Sequence, residues 1–234
     1  HKISRLITKL LEKNNIDATL VNFLESIIYY TFLIVVIIAT AGQLGINTTS
    51  FITIVGAAGL AIGLALKDSL SNFASGVMLI LFRPFRVGDF VTAGGVSGTV
   101  VSIALFNTTL NTPDNQRVIV PNSGITSSVI TNVTANDTRR VDLVIGIGYD
   151  DDIKKAKEVL KRIIQEEDRI LDTPKAKIAV SELADSSVNF VVRPWVKTSD
   201  FWDVYFDLTE KIKITFDEEG ISIPYPQQDV HLYK

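Results

Sequence analysis

The residues in this sequence that could do covalent or acid–base chemistry are few and poorly placed for it. Its 234 residues include no cysteine, which excludes disulfides, thiolate metal sites and cysteine nucleophiles. The two histidines, His1 and His231, stand at opposite ends of the chain, too peripheral for a metal site or a nucleophile–base pair. Glu166-Glu167-Asp168 close a helical pattern, where solvated charge is the ordinary reading. Gly146-Ile147-Gly148 lacks the third glycine, and the lysine and serine, of a phosphate-binding loop. Asn47, Asn107, Asn132 and Asn136 each begin an N-x-[ST] triplet, but the last three fall in the part that the charge pattern assigns to the cytoplasm. Arg139-Arg140 lies too far from the N-terminus for a twin-arginine signal and flanks a strand pattern. No catalytic residue, metal ligand or cofactor follows from any of these, and the expectation is a protein that is not an enzyme. A net charge of −3 and a pI near 5.5 also argue against a nucleic-acid partner, which wants a basic surface.

The spacing that does recur is mechanical. In GAAGLAIGLALKDSL, Gly56 to Leu70, glycine costs a helix about 1 kcal/mol relative to alanine, so helix propensity did not choose these residues. At 100° per residue, Gly56, Gly59 and Gly63 form one row at spacings of three and four, and Ala57, Ala61 and Ala65 form another at spacings of four. Leu60 and Leu64 form a third row. Small residues let membrane helices approach closely where lipid provides no hydrophobic drive. In a ring of identical helices, glycine faces would pack on alanine faces of the next subunit. The leucines would then point at the axis as two apolar rings, a constriction that stops ions by excluding water.

The surrounding elements suit that role. From Ser26 to Leu66, 41 consecutive residues carry no Asp, Glu, Lys or Arg, whereas the chain from Val141 onward is as charged as a soluble domain. Residues 1–20 read as a basic amphipathic piece. Residues 21–45 form a first spanning helix, since about 20 apolar residues at 1.5 Å each cross a bilayer core of about 30 Å. The turn Leu44 to Ser50 leads to a second apolar segment, residues 50–82, which at 33 residues would be about 50 Å long as one helix and must break. The expected break is Lys67-Asp68-Ser69, with Asp68 as N-cap of a helix from Ser69, and Gly76 is a second possible hinge. Arg5, Lys9 and Lys13 at one end and Lys67, Arg83 and Arg86 at the other place both ends of the hairpin in the cytoplasm. Asp17, Arg83 and Arg86 should lie together at that surface, where a salt bridge among them would couple the membrane part to the cytoplasmic domains.

Beyond Pro84 the pattern turns to short β-branched runs separated by GG, SG, PDN and PN turn signals, a small β domain over residues 83–132. Residues 133–226 then read strand, helix, strand, strand, helix, strand, a ferredoxin-like unit, with the second helix ending at Gly220. The terminal DVHLY alternates like a strand but has no partner left in its own domain, so it is expected to pair with copies of itself over residues 227–234.

GAAGLAIGLALKDSLSNFASGVMLILFRPFRVGDFV, GGVSGTVVSI, NTTLNTPDNQRVIVPN and PYPQ closely resemble the small-conductance mechanosensitive channel (MscS) family of prokaryotes, from about Ile16 to the C-terminus. The resemblance implies a membrane α-helical pore domain and a cytoplasmic α+β region: a middle β domain, a ferredoxin-like α/β domain, and C-terminal strands forming an intersubunit β-barrel. It implies a homoheptamer of three-helix subunits in the plasma (inner) membrane, multi-pass, in contact with lipids and with its C-terminal region in the cytoplasm. Residues 1–20 would then hold the end of the first transmembrane helix and a cytoplasmic loop. Leu60 and Leu64 match the family's pore-sealing leucines, Phe51 to Leu66 the pore-lining helix, and Ser69 to Phe82 its bent continuation. The implied function is a channel opened by membrane tension that releases ions and small osmolytes on hypoosmotic shock. Family members often carry glutamine and glycine where this chain has Lys67 and Asp68, which favours a fixed kink over a flexible one. The rival expectations are a solute carrier, which would want polar intramembrane binding groups, and a membrane-anchored ligand-sensing module.

Overall fold

Lipid offers no hydrogen bonds, so a segment that crosses it must satisfy its polar groups within itself. In a computed structural model, which describes residues 18–233, the first apolar run does so as helix α1 (Ala18–Gln43). Its stretch Glu25–Gln43 is long and apolar enough to cross a membrane, and none of it is buried inside the chain. Ser26 Oγ donates to the Asn22 carbonyl at 2.8 Å and Thr40 Oγ1 to that of Val36 at 2.7 Å, so these hydroxyls are satisfied without water. After a short turn, Asn47 Oδ1 accepts the Thr49 N–H at 3.0 Å, which starts α2 (Thr49–Ala65). Of the N-terminal piece expected over residues 1–20, the part up to Asp17 lies outside the described residues, and α1 already runs from Ala18.

Helix α2 and helix α3 (Lys67–Phe82) are bent by 59° at a break, and the break is Leu66 rather than the expected Lys67-Asp68-Ser69. Leu66 serves both helices: its N–H donates to the Ile62 carbonyl at 3.0 Å and its carbonyl accepts from the Leu70 N–H at 2.9 Å. Asp68 is therefore the second residue of α3 and not the cap of a helix from Ser69. It stands in the first turn of α3, where the helix dipole favours negative charge.

The chain divides into two units between Ser71 and Asn72, so the second takes the C-terminal part of α3 with it. Its first layer is an antiparallel sheet of β1 (Phe90–Ala93), β2 (Val96–Ile103), β3 (Asn107–Asn111), β4 (Arg117–Pro121) and β5 (Thr131–Asn132), in the order β4-β3-β2-β1-β5. A short helix, α4 (Asn122–Thr126), follows β4. Alternation in β1 and β3 sends Val91, Ala93 and Leu110 inward, where they pack with Val100, Val120, Ile125, Phe85 and Leu79. Leu79 belongs to α3 and is 2% exposed, so this core is incomplete without that helix.

The α/β layer begins with β6 (Thr138–Arg140), which pairs with β10 (Trp195–Lys197). Thus Arg139-Arg140 sits in a strand rather than beside one, with the Arg139 guanidinium 3.7 Å over the Phe201 ring, a cation–π contact. A second sheet of β7 (Leu143–Ile147), β8 (Lys177–Leu183) and β9 (Val188–Arg193) has the order β7-β9-β8. Helices α5 (Ile153–Gln165) and α6 (Phe201–Glu218) contribute to its core. Asp152 Oδ1 accepts the Lys154 N–H at 2.7 Å, an N-cap. At the end of α6 Gly220 has φ 67°, and the Ile221 N–H donates to the Phe216 carbonyl at 2.9 Å, a left-handed C-terminal stop that glycine permits without strain.

Neither of the last two expected strands forms within this chain: residues 221–233 carry no strand. Pro224 and Pro226 have no N–H to give to a ladder. Ser222 is tied instead to the turn after β7, its N–H and Oγ donating to Asp151 Oδ2 at 3.0 and 2.7 Å. The DVHLY segment has no copies of itself to pair with in one chain.

Arg169 clamps this layer. Its guanidinium donates to both oxygens of Glu167 at 2.6 and 2.9 Å and to Asp207 on α6 at 2.6 Å. The Arg169 hydrogen bonds hold the Glu167 carboxyl below its ordinary value of 4.5, against the opposing effect of burial. A carboxylate with a lowered folded value stabilises the fold above the unfolded value and loses that contribution as pH falls through the lowered one. Arg169→Ala should therefore cost about 1 kcal/mol at pH 7 and less once Glu167 is protonated, when only the bond to Asp207 is left to lose. Urea unfolding of the protein in detergent at both ends of that range checks this, read from Trp195 and Trp202, which are the chain's two tryptophans.

Candidate functional site

Seventeen residues of α2 contain no charged side chain and no buried residue. Leu60 and Leu64 are 66% and 64% exposed. Among the described residues, a Cβ added at Gly56, Gly59 or Gly63 would meet nothing within 4 Å, and Ala57, Ala61 and Ala65 are exposed as well. The small rows thus lie open along their whole length, although small residues are useful only where another backbone comes close. Lys67 and Asp68, both exposed, stand immediately beyond the break.

Gly76 behaves differently from the hinge it was expected to be. It is buried, and a Cβ there would lie 2.2 Å from the Leu105 carbonyl oxygen and 2.5 Å from Asn122 Nδ2. A flexible glycine needs room, whereas this one exists to let two backbones touch. Around it, one face of α3 is seated on the β domain by polar contacts. The Ser123 N–H donates to Asn72 Oδ1 at 2.9 Å, and the Ser75 and Thr126 hydroxyls share a hydrogen bond at 2.7 Å. Phe73 lies 6.0 Å from Phe106 between ring centroids.

Asn122 organises the receiving side. It is fully buried, and its Nδ2 donates to the Ala104 carbonyl at 2.9 Å while its Oδ1 accepts from Thr108 Oγ1 at 2.9 Å. Its N–H donates to the Phe106 carbonyl at 3.0 Å. A buried amide satisfied on all these sides holds the 104–108 loop, and hence the Leu105 carbonyl, in place. Sequence reading missed Asn72, Ser75 and Asn122. The available signal was the polar–small pattern Asn72, Ser75, Gly76 recurring at helical spacing on an otherwise apolar helix.

Arg83 closes α3, and Arg86 lies beyond the end of that helix. Arg83 has φ 48°, a left-handed conformation that costs a non-glycine residue about 1 kcal/mol, and it precedes Pro84. Its N–H donates to the Leu79 carbonyl at 3.0 Å and its Nε to that of Ile80 at 3.3 Å, so a cation closes the negative end of α3. The Arg86 N–H donates to Asp89 Oδ2 at 2.8 Å, which also accepts from Asn132 Nδ2 at 2.7 Å. Asp17, the third member of the expected coupling group, lies outside the described residues. The Gly148 N–H, considered for phosphate, is engaged by Asp151 Oδ2 at 2.9 Å.

Comparison with known proteins covers all three regions. Residues 26–67 match the family model for transmembrane helices 2/3 of mechanosensitive ion channels, residues 68–135 their β-domain, and residues 141–223 the MscS C-terminal domain. The small-conductance mechanosensitive channel of Edwardsiella ictaluri is 48% identical over 232 residues, which are 99% of this chain and 81% of that protein. An uncharacterized MscS family protein of Synechocystis is 45% identical over 99% of this chain and 78% of its own length. The crystal structure of Helicobacter pylori MscS in its closed state superposes with a TM-score of 0.87 at 33% identity, covering 100% of this chain and 93% of that one.

Proposed function

We propose, from the premise that this chain belongs to the MscS family of mechanosensitive ion channels, that it forms a ring around a pore opened by membrane tension, with Leu60 and Leu64 as its gate. The observation that carries the reading is α2 itself: uncharged throughout, with leucines and small rows that lie exposed among the described residues. In a heptamer the Gly56, Gly59 and Gly63 face of one copy packs on the Ala57, Ala61 and Ala65 face of the next. The leucines then close the axis as dewetted rings.

Tension favours whichever state occupies more membrane area, and lipid-facing α1 is the element that feels it. When α1 tilts, the pore helices slide along faces that have no side chains to interlock, Leu60 and Leu64 leave the axis, and the pore wets. Ions and small osmolytes then leave the cell on hypoosmotic shock. In this arrangement the protein sits in the plasma (inner) membrane, contacts its lipids, and holds the region after α3 in the cytoplasm. Lys67 and Asp68 of neighbouring copies pair at the inner pore mouth. Asp17 meets Arg83 or Arg86 at the membrane surface, and the terminal DVHLY segments pair with one another to close the vestibule.

The test is patch recording from liposomes containing the purified protein. Suction should elicit large, brief currents whose open probability rises steeply with tension. Saturable uptake of a solute without such currents would replace the channel by a carrier, and ligand binding with neither would leave a sensing module.

A further inference from the structure

The α/β layer carries a cleft of about 380 Å³, within the range of about 300–1,000 Å³ that suits a small ligand, and the pore gives it no role. Three segments wall it: the turn after β7 at residues 148–150, Ser186 in the turn between β8 and β9, and the chain beyond α6 at residues 222–225 and 227. Hydrogen bonds fix these walls to one another. Tyr149 Oη donates to the Ala184 carbonyl at 2.6 Å, and the Gln227 N–H donates to Ser186 Oγ at 3.0 Å. Asp151 Oδ2 joins the first wall to the third, accepting from the N–H groups of Gly148 at 2.9 Å and Ser222 at 3.0 Å.

The lining offers one sign of charge and two aromatic rings. Asp150 is its single charged side chain; it is exposed and has no ion pair or side-chain hydrogen bond among the described residues. Its neighbours Asp151 and Asp152, and Asp185 in the turn to which Tyr149 and Gln227 both bond, are acidic too. Tyr149 and Tyr225 are 56% and 84% exposed, and Ile223 and Pro224 add an apolar wall. An anion finds no positive side chain here. A divalent metal ion wants several oxygen ligands, and no group of three acidic or histidine side chains that could hold one forms among the described residues. An organic cation matches both halves of the lining, because its charge meets the carboxylate and the aromatic rings attract it while its alkyl groups cover Ile223 and Pro224. We infer that this cleft binds a small organic ammonium ion of the trimethylammonium class, with Asp150 as counterion and Tyr149 and Tyr225 as aromatic walls. The cleft lies within one chain and requires neither the ring nor the pore.

Choline is the probe, followed by saturation-transfer NMR with the purified full chain in detergent. Its trimethylammonium signal should receive saturation from the protein, level off as choline is added, and persist when an equal concentration of KCl is present. Asp150→Asn and Tyr225→Ala should each weaken binding about fivefold. Tyr225→Phe, which keeps the ring, and Asp172→Asn, which removes an exposed carboxylate outside the cleft, should bind as the wild type does. Three results would each overturn the inference: no saturable transfer in the wild type, displacement of choline by equimolar KCl, or equal binding by Asp150→Asn, Tyr225→Ala and the wild type. None of them touches the channel reading, which stands or falls on tension-activated current.

Discussion

Gly76→Ala should destabilise the protein by about 3 kcal/mol, the sum of overpacking at about 1–3 kcal/mol and a lost hydrogen bond at about 1 kcal/mol. The neighbours of the added methyl decide the size of the effect. The Leu105 carbonyl oxygen, 2.2 Å from the new Cβ, belongs to a loop that Asn122 fixes from beneath through Ala104, Phe106 and Thr108. It cannot rotate away as a side-chain tip would. Helix α3 must lift instead, giving up the bond between Asn72 and Ser123 and loosening Leu79 in the core.

Gly59→Ala is the matched control. Its Cβ meets nothing within 4 Å among the described residues, and alanine is the better helix former by about 1 kcal/mol, so unfolding should be unchanged or slightly harder. In the assembled ring the same methyl would stand between neighbours and hinder sliding, raising the tension needed to open. Thermal unfolding of the two variants in detergent separates the two glycine roles, and a Gly76→Ala protein as stable as the wild type would refute the seat.

Leu64→Asn should have the largest effect on gating. A leucine side chain contributes about 2 kcal/mol of aversion to water, and a ring multiplies that by the number of copies, which is what keeps a narrow apolar passage dry. Asparagine has nearly the same length and hydrogen-bonds to water, so the constriction fills without widening. The expected result is spontaneous openings at zero suction and a midpoint tension well below that of the wild type, with stability in detergent little altered because Leu64 is largely exposed. Leu60→Asn should act in the same direction. A Leu64→Asn channel that stayed shut to normal tension would place the barrier elsewhere.

How much of this was legible in the sequence depended on how local each signal was. Gly220 ends α6 through its own backbone and the bond between Ile221 and Phe216, all within one turn, and a glycine after an amphipathic run suffices to read it. The break in the long helix was visible in the charge at Lys67-Asp68, but charge marks where a helix leaves apolar surroundings, whereas the backbone bends one residue earlier at uncharged Leu66. Gly76 was misread because its partner, Leu105, lies 29 residues away. Nothing within one helix distinguishes a glycine that permits bending from one that permits contact. The terminal segment is the opposite case: its alternation reads as a strand, yet the partner that would make it one is another molecule.

The seat of α3 also decides where this protein can be divided. A fragment begun at Arg83, where the helix stops and the strands begin, would leave Phe85 and Val91 without Leu79, and Ser123 and Thr126 without Asn72 and Ser75. The backbone bends at Leu66 and the two units divide between Ser71 and Asn72, both inside what looks like one transmembrane element. A designer who wished to graft this β domain beneath a different membrane part would have to carry all of α3 with it, as the domain's own N-terminal helix.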